Sequence, residues 1–242
     1  MLKYERIGNG PTVVFIHGFL GSSEIYSKAK KRLASQYDAI FIDFAGHGAS
    51  QNENVEPTVY DYAEQIAEVL RHEQVKSSTW VGHSMGGYIV LAALEKQIAK
   101  IDKAVLAYSA VSADDAKAKE KRDAAIETIE QQGKEAFISS VIGNFFSNNA
   151  TPQTVEGGRQ IALQATNEGL KTALLTMKNR PSQQTLIDAV PIPVLVIEGT
   201  EDKVVSPIET SNPNVHKVTT TTGHLGMLEN PDAFMKHLTL FI

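Results

Sequence analysis

The 242-residue sequence contains no cysteine. That absence removes disulfide frameworks, thiolate metal sites and thiol nucleophiles together. Long hydrophobic runs are missing too, since no apolar stretch approaches the ~20 residues that span a bilayer. The start, Met1-Leu2-Lys3-Tyr4-Glu5-Arg6, has neither an apolar signal core nor a small-residue cleavage site. The chain therefore reads as soluble, unprocessed and cytoplasmic, with no membrane partner. There is no basic excess: 23 Lys and Arg against 28 Asp and Glu leave a formal net charge of −5. Without a basic stripe, a nucleic-acid partner is not expected. Aromatics are sparse at 7%, yet 42% of residues are apolar, too many for a disordered chain. The 17 Gly and 9 Pro follow no period, which excludes a collagenous or low-complexity chain. Area scaling gives a folded surface of about 10,600 Å² against about 38,000 Å² unfolded, so a chain of this length can bury a sizeable core.

Uninterrupted β-branched and aromatic runs occupy residues 12–16 and 39–43, ending at His17-Gly18 and at Phe44-Ala45-Gly46-His47-Gly48. Runs without alternation suit strands buried on both faces, as in a parallel sheet. A charged, helix-compatible stretch over 24–36 separates them. Pro57-Thr58 opens a helix whose apolar positions, Val59, Tyr62, Ala63, Ile66, Val69 and Leu70, form one stripe. A strand at 78–81, a helix from Tyr88 to about Gln97 and a strand at 103–108 continue the alternation, which predicts an open parallel sheet with helices on both faces. Residues 114–185 contain no convincing strand and read as amphipathic helices separated by Gly133, Thr151-Pro152, Gly157-Gly158 and Pro181. Strands resume at 193–199 and 215–219, and a helix over about 231–241 ends the chain. The reading is one α/β core, 1–111 and 186–242, carrying a helical lid at 112–185. A separate helical domain is the alternative.

Gly82-His83-Ser84-Met85-Gly86 lies where a strand runs in and a helix runs out. A corner that sharp strains its central residue and excludes side chains two positions either way, and it lifts a serine hydroxyl above the positive end of the helix. Serine needs a base. His224, in the loop after the last strand, is the best placed of seven histidines. His83 points elsewhere, His72, His216 and His237 fall in solvated or structural patterns, and His47 sits where it would rim the pocket. Asp202, directly after the penultimate strand, is the expected carboxylate orienting that base, with Glu201 as its neighbour and rival. The order Ser84, Asp202, His224 is that of α/β-hydrolases. The Met85 amide at the helix start and the Phe19 amide in the His17-Gly18-Phe19-Leu20 loop are the expected oxyanion donors, with Leu20 as second choice for the latter. His17 is expected to hydrogen-bond within that loop.

The segments His17-Gly18-Phe19, Asp43 to Ser50, Gly82 to Gly87, Gly199 to Asp202 and Gly223-His224 together resemble the α/β-hydrolase superfamily, specifically its small esterase-like members with a helical cap. The resemblance runs from about residue 10 to 225. It implies a mostly parallel central sheet flanked by helices with a cap insertion, and it leaves the substrate open. Three departures stand out. Ala45 replaces a usual proline, which is expected to loosen that turn. Only a short segment, Lys203 to Asn214, follows Asp202, so the usual helix is reduced to a turn and Asp202 is free to shift. Before Thr12 there is room for one strand at most, so the family's first antiparallel strand is expected to be absent.

Serine at the elbow disfavours the dehalogenase and epoxide hydrolase branches, which carry aspartate there, and the lack of cysteine excludes thiol catalysis of the dienelactone hydrolase kind. The expected reaction is carboxylic ester hydrolysis through an acyl-serine on small or medium apolar esters, with water as second substrate. Lactone or enol-lactone opening, carbon–carbon hydrolysis, perhydrolysis and thioester hydrolysis share the machinery, and a receptor-like binding module on the same fold is the non-enzymatic alternative. Phe137, Val141, Ile142, Phe145 and Phe146 form a lid stripe, followed by Leu174, Leu175 and Met177. Most are expected to pack the lid onto the core, with Phe137 and Phe146 joining Gly18 and Leu20 around an apolar substrate. The charged run Asp114–Asp123 reads as a solvated helix face. No histidine or carboxylate spacing suggests a metal, and no phosphate-binding glycine loop suggests a nucleotide, so no cofactor is expected.

Overall fold

The uninterrupted apolar runs become the centre of a seven-stranded sheet. In this computed structural model residues 1–50 and 58–242 are described. The strands are β1 (Tyr4–Ile7), β2 (Thr12–Ile16), β3 (Asp38–Ile42), β4 (Ser78–His83), β5 (Ile101–Ala107), β6 (Val194–Gly199) and β7 (Val215–Thr220), in the spatial order β1-β3-β2-β4-β5-β6-β7. All neighbours except β1 and β3 are parallel. β1 pairs antiparallel with β3, Tyr4 opposite Ile42 and Ile7 opposite Ala39. An antiparallel strand is thus present at the edge, where its absence was expected. Four residues are enough, because the short Gly8–Gly10 connection and the Arg6–Asp38 ion pair (2.8 Å) hold it in register.

Parallel strands need crossovers, and helices supply them on both faces. A 3-10 turn at Ser23–Tyr26 leads into α1 (Ser27–Ala34), then α2 (Val59–His72), α3 (Met85–Lys96) and, at the C-terminus, α9 (Pro231–Phe241). Thr58 caps α2 reciprocally with Asp61, and the expected stripe from Val59 to Leu70 is buried. Pro57 lies outside the described residues. α3 starts at Met85 instead of Tyr88, directly after the elbow, and every residue from Met85 to Ala93 is buried.

The insertion between β5 and β6 is helical: α4 (Ala116–Val141), a 3-10 turn at Ile142–Phe145, α5 (Pro152–Ala162), α6 (Asn167–Asn179) and the short α7 (Gln184–Ala189). Gly133 interrupts α4 with φ 82°. Gly157-Gly158, expected as a separator, lies inside α5. Gly158 faces Phe146, whose ring tip would come 2.6 Å from an added Cβ, so the glycine serves close helix packing instead of chain breaking. The insertion shares its hydrophobic cluster with the sheet and docks on loops at the C-terminal strand ends. The Thr166 amide donates to Gly46 O (2.8 Å), the Ser22 hydroxyl to Gln164 (3.1 Å), and both the His224 and Leu225 amides to Phe145 O (2.9 and 3.1 Å). Among the described residues no helix is long and apolar enough to cross a membrane.

Candidate active site

The turn from β4 into α3 places Ser84 at φ 50°, ψ −115°, a left-handed conformation that non-glycine residues avoid. The flanking glycines are explained by close approach. A Cβ on Gly82 would lie 2.4 Å from Gly86 O, and one on Gly86 would lie 2.5 Å from Ile16 O on the neighbouring strand. The strained corner is held from β5 and the loop after it: the Ser84 amide donates to Ala107 O (2.9 Å) and the Ser109 hydroxyl donates to Ser84 O (2.8 Å).

Three side chains from distant segments meet at this rim. Ser84 Oγ and His224 Nε2 are 2.8 Å apart, and His224 Nδ1 and Asp202 Oδ2 are also 2.8 Å apart. The other carboxylate oxygen of Asp202 accepts the amides of Val204 (2.8 Å) and Val205 (3.3 Å). Residues 203–214 carry no helix, yet those two bonds fix Asp202 and it has not shifted from His224. Glu201 points away and accepts the Asn148 amide (3.4 Å). With Nδ1–H donated to the carboxylate, Nε2 presents a lone pair to the serine proton, the tautomer that base catalysis requires.

Two amides flank the serine. Met85 opens α3, so its N–H belongs to the unsatisfied first turn. Gly18 presses the preceding loop against the elbow, where an added Cβ would sit 2.9 Å from Ser84 Cβ, and no described residue accepts the next amide, Phe19 N–H. Leu20, the second choice, has φ 60°. His17 binds within its loop through Nδ1–H to Gly18 O (2.8 Å) and also reaches β3's loop, where Nε2 accepts the Phe44 amide (3.0 Å). His83 donates Nε2–H to His224 O (3.0 Å), so it braces the base's own backbone.

His17, His47 and His83 are buried, and burial lowers the pKa of each; the nearby His224 adds to the effect at His83, and His47 falls to about 3. His47 does not rim the pocket. It lies behind the site against His17 and Phe44, with Nδ1 near Ala45 O (3.3 Å). The Ala45 turn is closed by His47 N–H to Phe44 O (2.9 Å) and by Asp43, whose carboxylate takes the Ser23 (2.6 Å) and Ala49 (2.8 Å) amides.

A cavity of about 620 Å³ opens from Ser84 between core and lid. Phe19 and Phe145 stand beside the serine, and Phe145 also packs edge-on against the His224 ring (centroids 5.4 Å apart). Gly18, Leu20, Phe137 and Phe146 are not among its lining residues. Phe137 packs behind Phe19 (6.2 Å), and Phe146 packs into the lid beside Gly158. Nor is the lining the apolar slot expected, for six of its eighteen residues are charged. They include residues of the run from Asp114 to Asp123, which therefore forms a cavity wall as well as a solvated face. Asp114 pairs there with Arg122 (3.1 Å) and buried Arg180 (2.6 Å). Sequence reasoning missed Arg180, Ser109, Glu229 and the Phe145 carbonyl, whose roles depend on contacts across the fold. Among the described residues no group of three or more His, Asp or Glu side chains is gathered to hold a metal.

A family profile described as the alpha/beta hydrolase fold matches residues 11–231. The chain belongs to that family. It is 37% identical over 106 residues to an uncharacterized hydrolase, YugF, of Bacillus subtilis (43% of this chain, 38% of that protein). It is 30% identical over 100 residues to the esterase YbfF of Escherichia coli (40% and 38%). These matches span well under half the length of those curated relatives. Over the whole fold, the chain superposes on a thermophilic esterase from Thermogutta terrifontis with TM-score 0.92 at 26% identity, covering 99% of this chain and 92% of that one. An enol-lactonase from Burkholderia xenovorans shares the fold at TM-score 0.90 and 19% identity, covering 99% and 95%.

Proposed function

We propose that this hydrolase cleaves carboxylic esters through an acyl-serine intermediate, in an aqueous intracellular compartment. The observation that carries the reading is the unbroken chain from Ser84 Oγ through both nitrogens of His224 to Asp202, each link 2.8 Å. Ser84 attacks the ester carbonyl carbon while His224 Nε2 takes its proton. The carbonyl electrons move onto oxygen, and the Phe19 and Met85 amides hold that charge; one such donor is commonly worth ~3–4 kcal/mol. Asp202 remains ionised and stabilises the imidazolium. The tetrahedral species expels the alcohol, which receives the proton from His224. Water, deprotonated by the same nitrogen, then attacks the acyl carbon, and Ser84 leaves as the hydroxyl.

A family member named as an esterase and a full-length superposition on another support this choice among the reactions one triad can run. The test is hydrolysis of short-chain nitrophenyl esters by the wild type and by Ser84→Ala. A fall in kcat of about 10³-fold or more is expected. Turnover surviving in Ser84→Ala, or stoichiometric capture without turnover by the wild type, would refute it.

A further inference from the structure

The cavity that opens from Ser84 carries a charge opposite in sign to that of the whole chain. Lys117, Lys121, Arg122 and Arg180 line it against only Asp114 and Asp115, an excess of two positive charges in a protein of net charge −5. Both carboxylates are already engaged. Asp114 takes Arg180 and the Nε of Arg122, while Asp115 caps α4 by accepting the Ala118 amide (2.7 Å). Arg180 is spent as well, on Asp114, on the carbonyls of Met177 and Ser112, and on the face of Tyr88. Lys117, Lys121 and the two terminal nitrogens of Arg122 have no partner among the described residues.

The position of these cations runs against local electrostatics. Lys117 lies in the first turn of α4, where the helix dipole disfavours positive charge. Lys121 is one turn further on, at the i,i+4 spacing where like charges repel. Both lysines are exposed to solvent and make no ion pair among the described residues, so their ammonium groups are free to meet an anion that enters with a ligand. Local rules broken without internal compensation concentrate at functional sites.

We infer that the substrate carries an anionic group, a carboxylate in the first instance, held by Lys117, Lys121 and Arg122 while its ester carbonyl meets Ser84. This deepens the ester-hydrolase reading and rests on it for the reaction but not for the binding. Arg180 and Asp114 act one step behind: Asp114 accepts the Arg122 Nε–H (3.1 Å) and is itself held by Arg180 (2.6 Å).

Two measurements separate the parts. The first compares kcat/KM for p-nitrophenyl butyrate with that for the mono-p-nitrophenyl ester of glutarate, whose acyl chain ends in a carboxylate. A further arm uses 4-acetoxybenzoate, with the carboxylate on the leaving alcohol. The ratio of anionic to neutral ester is expected to drop about tenfold in the Lys117→Gln/Lys121→Gln variant, through KM, and in wild type at 0.5 M salt. Lys236→Gln, an exposed control on α9, should leave that ratio in place. The second titrates glutarate onto Ser84→Ala by calorimetry, with and without the two lysine changes, which needs no turnover. Glutarate binding lost with the lysines, even if no ester is hydrolysed, supports the anion site and removes only the reaction. Ser84-dependent ester turnover with a ratio and a glutarate affinity indifferent to the lysines and to salt overturns the anion site and leaves the reaction standing.

Discussion

Ser84 is held at positive φ by contacts that leave no slack around it, so small changes beside it are expected to act on chemistry before stability. Gly18 is the sharpest case. An alanine methyl would sit 2.8 Å from His83 Nδ1 and 2.9 Å from Ser84 Cβ, displacing the loop that carries the Phe19 amide. Gly18→Ala is expected to lower kcat/KM about 100-fold, the scale of a 1 Å misplacement, as steady-state kinetics on a nitrophenyl ester would record. Asp202→Asn keeps the volume but lets the side-chain amide face His224 Nδ1, favouring the wrong tautomer. A loss of about 10³–10⁴ in kcat is expected with near-normal folding by circular dichroism. Glu201→Gln should stay within about threefold, because among the described residues its carboxylate meets only the Asn148 amide. The reverse pattern would reassign the acid.

Between elements, the lid and the loop bearing His224 behave as one piece. Glu229, on the short helix α8 (Gly226–Glu229), accepts the amides of Gly223 (2.9 Å) and of Ser147 in the lid (3.3 Å), so one carboxylate ties the two together. Glu229→Ala leaves both amides unpaired and should cost about 2 kcal/mol in urea unfolding, with faster hydrogen exchange at Gly223 and Ser147 and a lower kcat. Unchanged exchange at both would show that the tie is unimportant. The same region marks the limit of what sequence pattern reveals. Strands β2, β3, β5 and β6 are legible because their apolar runs are continuous, and β4 with the elbow because a short strand, two glycines and a helix coincide. Phe145 and Phe146 were not separable. A 3.6-residue stripe extrapolated past Val141 fails when the chain tightens into a 3-10 turn with three residues per turn, and the angular error puts Phe145, not Phe146, on the cavity. Gly157-Gly158 misled for a related reason, since glycine required for close packing looks in sequence like glycine that ends a helix. The lysine and arginine wall was visible only as a charged helix face until α6 brought Arg180 to Asp114.

For the molecule as a whole, the buried histidines set the response to acid. His17, His47 and His83 are lowered chiefly by burial, so each is neutral in the folded state but free to take a proton near pH 6.5 once unfolded. Their stabilising effect is complete above that pH and is lost as pH falls, each site costing about 1.4 kcal/mol per unit until its folded pKa is reached. Between pH 7 and pH 5 the unfolding free energy is expected to drop by up to about 2 kcal/mol for each histidine, read as a lower urea midpoint. A midpoint independent of pH over that interval would mean that these rings take up protons in the fold at the same pH as in the unfolded chain. The lowered Asp38, paired with Arg6, acts in a separate window: its contribution is present above its unfolded pKa and is lost as pH falls below about 4.

Trapping the covalent intermediate tests the central claim most directly. Wild-type protein mixed with an activated ester and acid-quenched within the first turnover should gain the mass of one acyl group, located by peptide mass spectrometry on Ser84, and His224→Ala should not acquire it at a comparable rate. An acyl group on any other residue, or rapid hydrolysis with Ser84 unmodified and Ser84→Ala still active, would contradict it.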